Sequence, residues 1–222
     1  MNKHLLPALL LIPLLLAGCA TETSRTLTTP EVASAAQPYH GAQAPIAVGK
    51  FENRSGYLHG LFSDGVDRIG NQAKTILVGH LQKTGRFRVL ERTNMEELKQ
   101  EAALRGKAQT LAGAQYVITG DITEFGRKEV GDRQLWGILG RGKSQVAYAK
   151  ATLNVVSVQT SEVVYSAKGA GEYALSDREV IGFGGDSGYD STLNGKVLDL
   201  AIREAVNNLV AGIESGTWRP DR

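Results

Sequence analysis

The sequence holds one cysteine, Cys19, in 222 residues. A single thiol builds no disulfide framework within the chain and no zinc site of several cysteines. Histidine is sparse as well. His4, His40, His59 and His80 form no HxxxH or HExxH pair. No charge of one sign prevails, because 25 basic and 23 acidic residues leave a formal net charge of +2. The chain therefore has no bulk field to draw it to nucleic acid. No apolar run reaches the roughly 20 residues that a membrane-crossing helix needs. These shortages point away from the common metal and redox chemistries, and no cofactor is expected. What is present is ordinary for a folded domain: 42% hydrophobic and 22% charged residues.

The N-terminus carries an address. Lys3 precedes an apolar run, Leu5 to Leu16, of about twelve residues, the length of a secretory h-region. It ends in Leu16-Ala17-Gly18-Cys19. Small residues before a cysteine resemble a bacterial lipobox, which implies cleavage after residue 18 and lipid on Cys19. The alternative is a plain signal peptide with a chance cysteine. Against it, the only cysteine sits where a lipobox requires one. Acyl chains hold a protein at a bilayer through about 0.8 kcal/mol per buried CH₂. Ala20 stands where an aspartate would resemble an inner-membrane retention signal, so the expected location is the outer membrane, facing the periplasm. Residues 19–43 are rich in Thr, Ser, Ala and Pro and read as a flexible lipidated tether.

The domain is expected over 44–216, with a short tail at 217–222. Pro45 to Phe51 reads as a strand. Phe62, Val66, Ile69, Ala73, Ile76, Leu77 and Leu81 recur at threes and fours, one face of a helix of about 22 residues. Ser63 or Asp64 is its expected cap and Gly85 its exit. Arg86 to Arg92 alternates as a strand. Thr93-Asn94 opens a second helix, through about Leu104, with Glu96 and Glu97 suited to its dipole. Ala108 to Gly113 reads as a short helical turn. Gln115 to Phe125, Gln145 to Gln159 and Glu162 to Lys168 read as strands, with Thr160-Ser161 as a turn. Leu193 to Ile213 closes the domain as a helix, with Leu198, Ile202, Ala205 and Leu209 on one stripe. The order predicts an α/β fold, a mixed sheet flanked by helices. Two Gly-rich hairpin extensions are expected at 126–150 and 169–191.

The order of these segments resembles the CsgG/HfaB family of outer-membrane lipoproteins. The likeness rests on Phe51-Glu52-Asn53, on the run Leu90 to Leu98 (LERTNMEEL), and on Val117 to Ile122 followed by Leu153 to Val164 (VITGDI and LNVVSVQTSEVV). It covers roughly residues 45–215. The resemblance implies a non-enzymatic α/β domain that assembles with copies of itself into a ring and serves export or surface assembly of protein components. In channel-forming members each subunit adds two hairpins to a shared barrel, and a loop after the first strand lines a constriction. By position that loop is Asn53 to Ser63, which makes Tyr57, Leu58, His59 and Phe62 candidate constriction or partner-binding residues, with Tyr57 the exposed aromatic. The expected partners are further copies, membrane lipid through Cys19, and an exported or envelope protein.

The hairpins depart from the pattern. Leu135, Trp136 and Leu139 offer a short apolar patch, but Arg127, Lys128, Glu129, Asp132, Arg133, Arg141 and Lys143 surround it. Lipid-facing barrel positions should be apolar at every second residue, and a midplane Lys or Arg costs about 2–4 kcal/mol. The alternative is a lipid-anchored accessory or scaffold protein that binds another envelope protein without a pore. Gly137 to Ser144 also matches GxxxxGK[ST] in full. A phosphate-binding loop needs a helix directly after it. The residues that follow read as a strand, so a Gly-rich hairpin tip accounts for the match and no nucleotide is expected. Asp64, Asp67 and Arg68 read as a solvated helix face, and His80 as a packing or surface residue.

Overall fold

The computed structural model describes residues 30–57, 66–133, 141–179 and 192–220. The chain divides into Met1–Pro30 and a compact unit, Glu31–Arg222. Within that unit the strands are β1 (Ala44–Asn53), β2 (Phe87–Leu90), β3 (Tyr116–Arg133), β4 (Arg141–Ser157) and β5 (Val163–Glu179). The helices are α1 (Arg68–Lys83), α2 (Met95–Leu104) and α3 (Thr192–Glu214). The sheet order is β2-β1-β3-β4-β5. β1 lies parallel to β2 and β3, and β3, β4 and β5 are antiparallel. The mixed α/β sheet expected from the sequence is the one found.

Alternation places the core. Ile118 and Ile122 on β3, Ala147 to Val155 at every second residue of β4, and Ala167 on β5 are all buried. Over this face lie Ile69, Ala73, Leu77 and Leu81 of α1 and Leu198, Ile202, Ala205 and Leu209 of α3, also buried. Phe51 lies flat over Gly120, where a Cβ would sit 2.3 Å from its ring. α1 and α3 meet at His80, whose Nε2 is 2.8 Å from Asp199 Oδ1. His80 is thus a buried packing residue with a polar partner.

Several boundaries differ from the sequence reading. α1 begins at Arg68, because Asp67 is its cap: Oδ1 accepts from Gly70 N at 2.7 Å. Val66, expected on the apolar face, is 51% exposed, and Phe62, Ser63 and Asp64 lie outside the described residues. Gly85 does end the helix, with φ +67°. β2 stops at Leu90 because the Glu91 carboxylate turns back to accept the Thr93 and Asn94 N–H groups opening α2. Those N–H groups, Thr93 first, hold the Glu91 carboxyl below its ordinary range. The helical turn expected at Ala108 to Gly113 is not formed; those residues have no regular secondary structure. Arg92 Nη2 donates to Ala112 O at 2.6 Å and Gln115 N donates to Pro45 O at 2.8 Å, which draws the segment out along the sheet.

The expected tether and tail are also shorter than predicted. Val32 is buried in the core, and a 3₁₀ turn, Ala33–Ala36, follows it. Arg86, only 4% exposed, holds this strap. Its Nη1 donates to Ser34 O, Gln37 O and Thr84 O at 3.0, 3.1 and 2.7 Å, and Nη2 reaches Glu214 Oε1 at 2.7 Å. At the other terminus Trp218 is buried against Phe87, Tyr116 and Tyr165. Both segments read as free because their large apolar residues are few and follow no period. Arg86→Met keeps the length of the side chain and removes every one of those bonds. It should cost about 3 kcal/mol, visible as an earlier thermal transition by circular dichroism.

Candidate functional site

At the C-terminal end of β1 the chain turns out of the sheet and ties itself down. Asn53 N donates to Asp67 Oδ2 at 2.6 Å, so the aspartate that caps α1 also holds the strand end. Asn53 Oδ1 accepts from Ser55 N at 3.0 Å and Ser55 Oγ at 2.6 Å, and Asn53 Nδ2 donates to Tyr57 O at 3.1 Å. Arg54 N donates to Ile122 O at 2.9 Å, and its Nε reaches Asp121 Oδ1 at 2.7 Å. Gly70 is forced by this knot: a Cβ there would lie 2.3 Å from Asp67 Oδ2 and 2.7 Å from Phe51 O. The two ends of segment 58–65 are therefore bound to each other through Asn53 and Asp67.

Charges line the rim of the knot. Lys50 hydrogen-bonds Glu52 and, with Arg54, holds its carboxyl below the ordinary range. Asp121, by hydrogen bond and then by charge, with Glu52, raises the Arg54 guanidinium. Each carboxylate here is occupied by a cation or by backbone N–H groups. That arrangement ties the end of β1 to the start of α1, and among the described residues it sets no free carboxylate against a nucleophile. Among the described residues no group of three His, Cys, Asp or Glu side chains could hold a metal ion.

Tyr57 corrects one expectation. It is half-buried, its ring 4.8 Å from that of Phe125, and it packs against the core. Apolar surface at the base of the loop is worth more inside than out. Leu58, His59 and Phe62 lie outside the described residues, as do Leu135, Trp136, Leu139 and Cys19. The solvated helix face expected of Asp67 with Arg68 does not allow for its capping bond, and the expected loop at Asn53 does not specify the bonds its side chain makes. An Asp immediately before the apolar period of a helix is an N-cap signal that would have found the first.

The hairpin segments are strands for much of their length. β3 and β4 stay paired out to Arg133 opposite Arg141, and β5 pairs with β4 out to Glu179 opposite Arg141. The turns at 134–140 and 180–191 lie outside the described residues. β5 does not stop at Lys168 as expected. Lys143 and Ser144, the last residues of the GxxxxGK[ST] match, are in β4, so a strand stands where a phosphate loop requires a helix. No helix among the described residues is long and apolar enough to cross a membrane, which says nothing of a β-barrel.

Comparison with known proteins places the chain. The family model described as curli production assembly/transport component CsgG matches residues 26–221. A protein of Neisseria meningitidis serogroup B (strain ATCC BAA-335 / MC58), named "Putative lipoprotein NMB1126/NMB1164", is 67% identical over 207 residues, 93% of each chain. Solved structures are more distant. A PelC dodecamer from Paraburkholderia phytofirmans is 15% identical, with 83% of this chain and 96% of that one covered and a TM-score of 0.36. Lipoprotein GNA1162 from Neisseria meningitidis is 15% identical, with 76% and 99% covered and a TM-score of 0.33. The family match spans nearly the whole compact unit and the meningococcal relative nearly the whole chain, and on these two grounds this protein belongs to the CsgG family.

Proposed function

We propose that the protein is a non-enzymatic lipoprotein of the outer membrane, anchored through Cys19 with its domain in the periplasm, that assembles with copies of itself and serves export or surface assembly of protein components. The observation that carries this reading is the β3–β4–β5 ribbon. β1 ends at Asn53, paired with Ile122, while β3 continues to Arg133. From Glu124 to Arg133 one edge of β3 has no partner strand among the described residues, and β5 is the last strand of the sheet. Beyond Glu124 on β3 and beyond Glu172 on β5 the ribbon has no partner strand among the described residues, and such edges are templates for pairing with a neighbouring copy. Its overhang matches the 9–11 residues of one barrel crossing. The loop after β1, Asn53 to Ser63, would then face the central space as the constriction loop.

A second reading has a specific observation behind it. Register sets Arg141 opposite both Arg133 and Glu179, and Lys143 opposite Asp177. So dense a ladder of charges suits water or a lumen and is costly beside lipid. In this reading the ribbon stays in water and the protein is a lipid-anchored scaffold for another envelope protein. Electron microscopy of the detergent-solubilised particle and conductance in planar bilayers separate the two. The export reading expects rings with a barrel and stable channels. Leu135→Arg should then abolish conductance, at about 2–4 kcal/mol per subunit, while the domain keeps its thermal transition. Compact monomers or dimers without conductance would leave the scaffold reading.

A further inference from the structure

The outer edge of β5 has the makings of a binding site. Which groups face outward follows from the register. Arg54 N donates to Ile122 O, so before the β3 bulge the even residues of that strand face β1 and the odd ones face β4. Asp121 pairs with Thr152, so on β4 Leu153, Ala151 and Ala149 face β5. Their partners Ala167, Gly169 and Gly171 face inward, which leaves the N–H and C=O groups of Ser166, Lys168, Ala170 and Glu172 pointing away from the sheet. One contact agrees independently: Asn208 Nδ2 on α3 caps Lys168 O at 2.8 Å. No strand among the described residues pairs with this edge.

Space flanks the edge on both faces. On the α3 side a cavity of about 360 Å³ lies between Gly171, Glu172 and the helix residues Arg203, Glu204 and Asn207. On the opposite face one of about 490 Å³ is bounded by Tyr148, Lys150, Ala170 and Glu172. A strand laid along β5 sends alternate side chains to the two faces, so each set would meet a cavity. Lys168 and Glu172 stand four residues apart on one face, and neither has an ion-pair partner among the described residues.

What can lie there is limited by α3. The helix runs directly above β5: a Cβ on Gly169 would be 2.2 Å from Ala201 O and Ala205 N, and one on Gly171 2.6 Å from Leu200 Cβ. Paired strands sit about 4.8 Å apart, whereas packed helices need about 8–10 Å. A second copy offering its own β5 would bring two helices into collision. A bare strand would not.

We propose that the β5 edge at residues 166–172 binds an extended polypeptide segment by strand addition, and that the segment carries an acidic and a basic side chain four residues apart, set against Lys168 and Glu172. The proposal goes beyond the export reading and does not depend on a pore. The probe is a blocked nine-residue fluorescent peptide of threonine and valine with one lysine and one glutamate four positions apart. A second peptide carries lysine at both positions. Anisotropy is measured with the full chain in detergent micelles. The first peptide should bind saturably and more tightly than the second. Ala170→Pro removes an outward N–H that β4 does not use, a substitution edge strands tolerate, and should weaken binding about tenfold. Lys168→Glu should reverse the preference toward the two-lysine peptide. Absence of saturable binding to the native protein, or equal binding by Ala170→Pro with an unchanged melting curve, would overturn the proposal. So would Ala170→Pro changing the particle mass by light scattering while peptide binding stays the same, because the edge would then belong to a second copy.

Discussion

Cys19→Ser should move the protein from the membrane fraction to the soluble one, with loss of radiolabelled palmitate. A single acyl chain binds a bilayer only marginally, with a constant near 10⁴ M⁻¹, and stable anchoring takes more than one. The lipobox reading attaches all of the lipid to one sulfur and the amino group beside it, so one substitution removes the whole anchor. No helix among the described residues is long and apolar enough to span, which leaves a barrel built from the ribbon as the other route to the bilayer. The fold should not notice the change. The first core residue among those described is Val32, and the thermal transition should stay within about 0.5 kcal/mol of the native one. Retention in the membrane with undiminished label would remove the anchor from the account. Retention without label would assign membrane binding to the ribbon.

Gly169→Ala should be among the most damaging single-methyl changes available to the domain. The added Cβ would sit 2.2 Å from Ala201 O and Ala205 N, both backbone atoms in the middle of α3. Neither can swing aside, so α3 must lift from β5. Leu198, Ile202 and Leu209, each fully buried, would lose contact with the sheet. Overpacking ordinarily costs about 1–3 kcal/mol, and a rigid backbone neighbour places this site at or above the upper end. The melting temperature should fall by about 6–12 °C for a domain of this size. Gly126→Ala is the control. Its Cβ would lie 2.5 Å from Tyr148 Oη, the far end of a side chain that is 36% exposed and can rotate into water. That variant should lose less than about 1 kcal/mol. Equal losses in both would mean that α3 does not depend on the glycine stripe.

The same glycines show where sequence reading succeeds and where it stops. Ala147 to Val155 alternates, and the structure buries those positions on one face of β4. The stripe on α3 at Leu198, Ile202, Ala205 and Leu209 is buried throughout. Period alone suffices for such segments, because one face of each element repeats against the same neighbour. Gly169 and Gly171 instead made one continuous strand, Val163–Glu179, read as a strand ending at Lys168 and a separate Gly-rich hairpin. A glycine reads as a turn former when nothing is known of what approaches it, yet here it admits a helix backbone. Val32 and Trp218 were missed for a related reason. One apolar side chain in a polar segment has no period, and only the pocket that receives it makes it part of the core.

Before any fold was known, the sequence itself carried the lipobox-like N-terminus, the alternation of strands and helices, the shortage of cysteine and histidine, and the motifs that resemble the CsgG family. These are properties of adjacent residues, and chain order is enough to state them. The tertiary structure alone decided that Asp67 caps α1 while holding Asn53, that Arg86 ties the strap to α3, and that β5, beneath a helix, has no strand on its outer edge among the described residues. Each joins residues separated by tens of positions or fixes which side of a strand faces outward. A hydrogen bond across such a gap depends on distances of about 3 Å, and those distances exist only once the whole sheet has set its register.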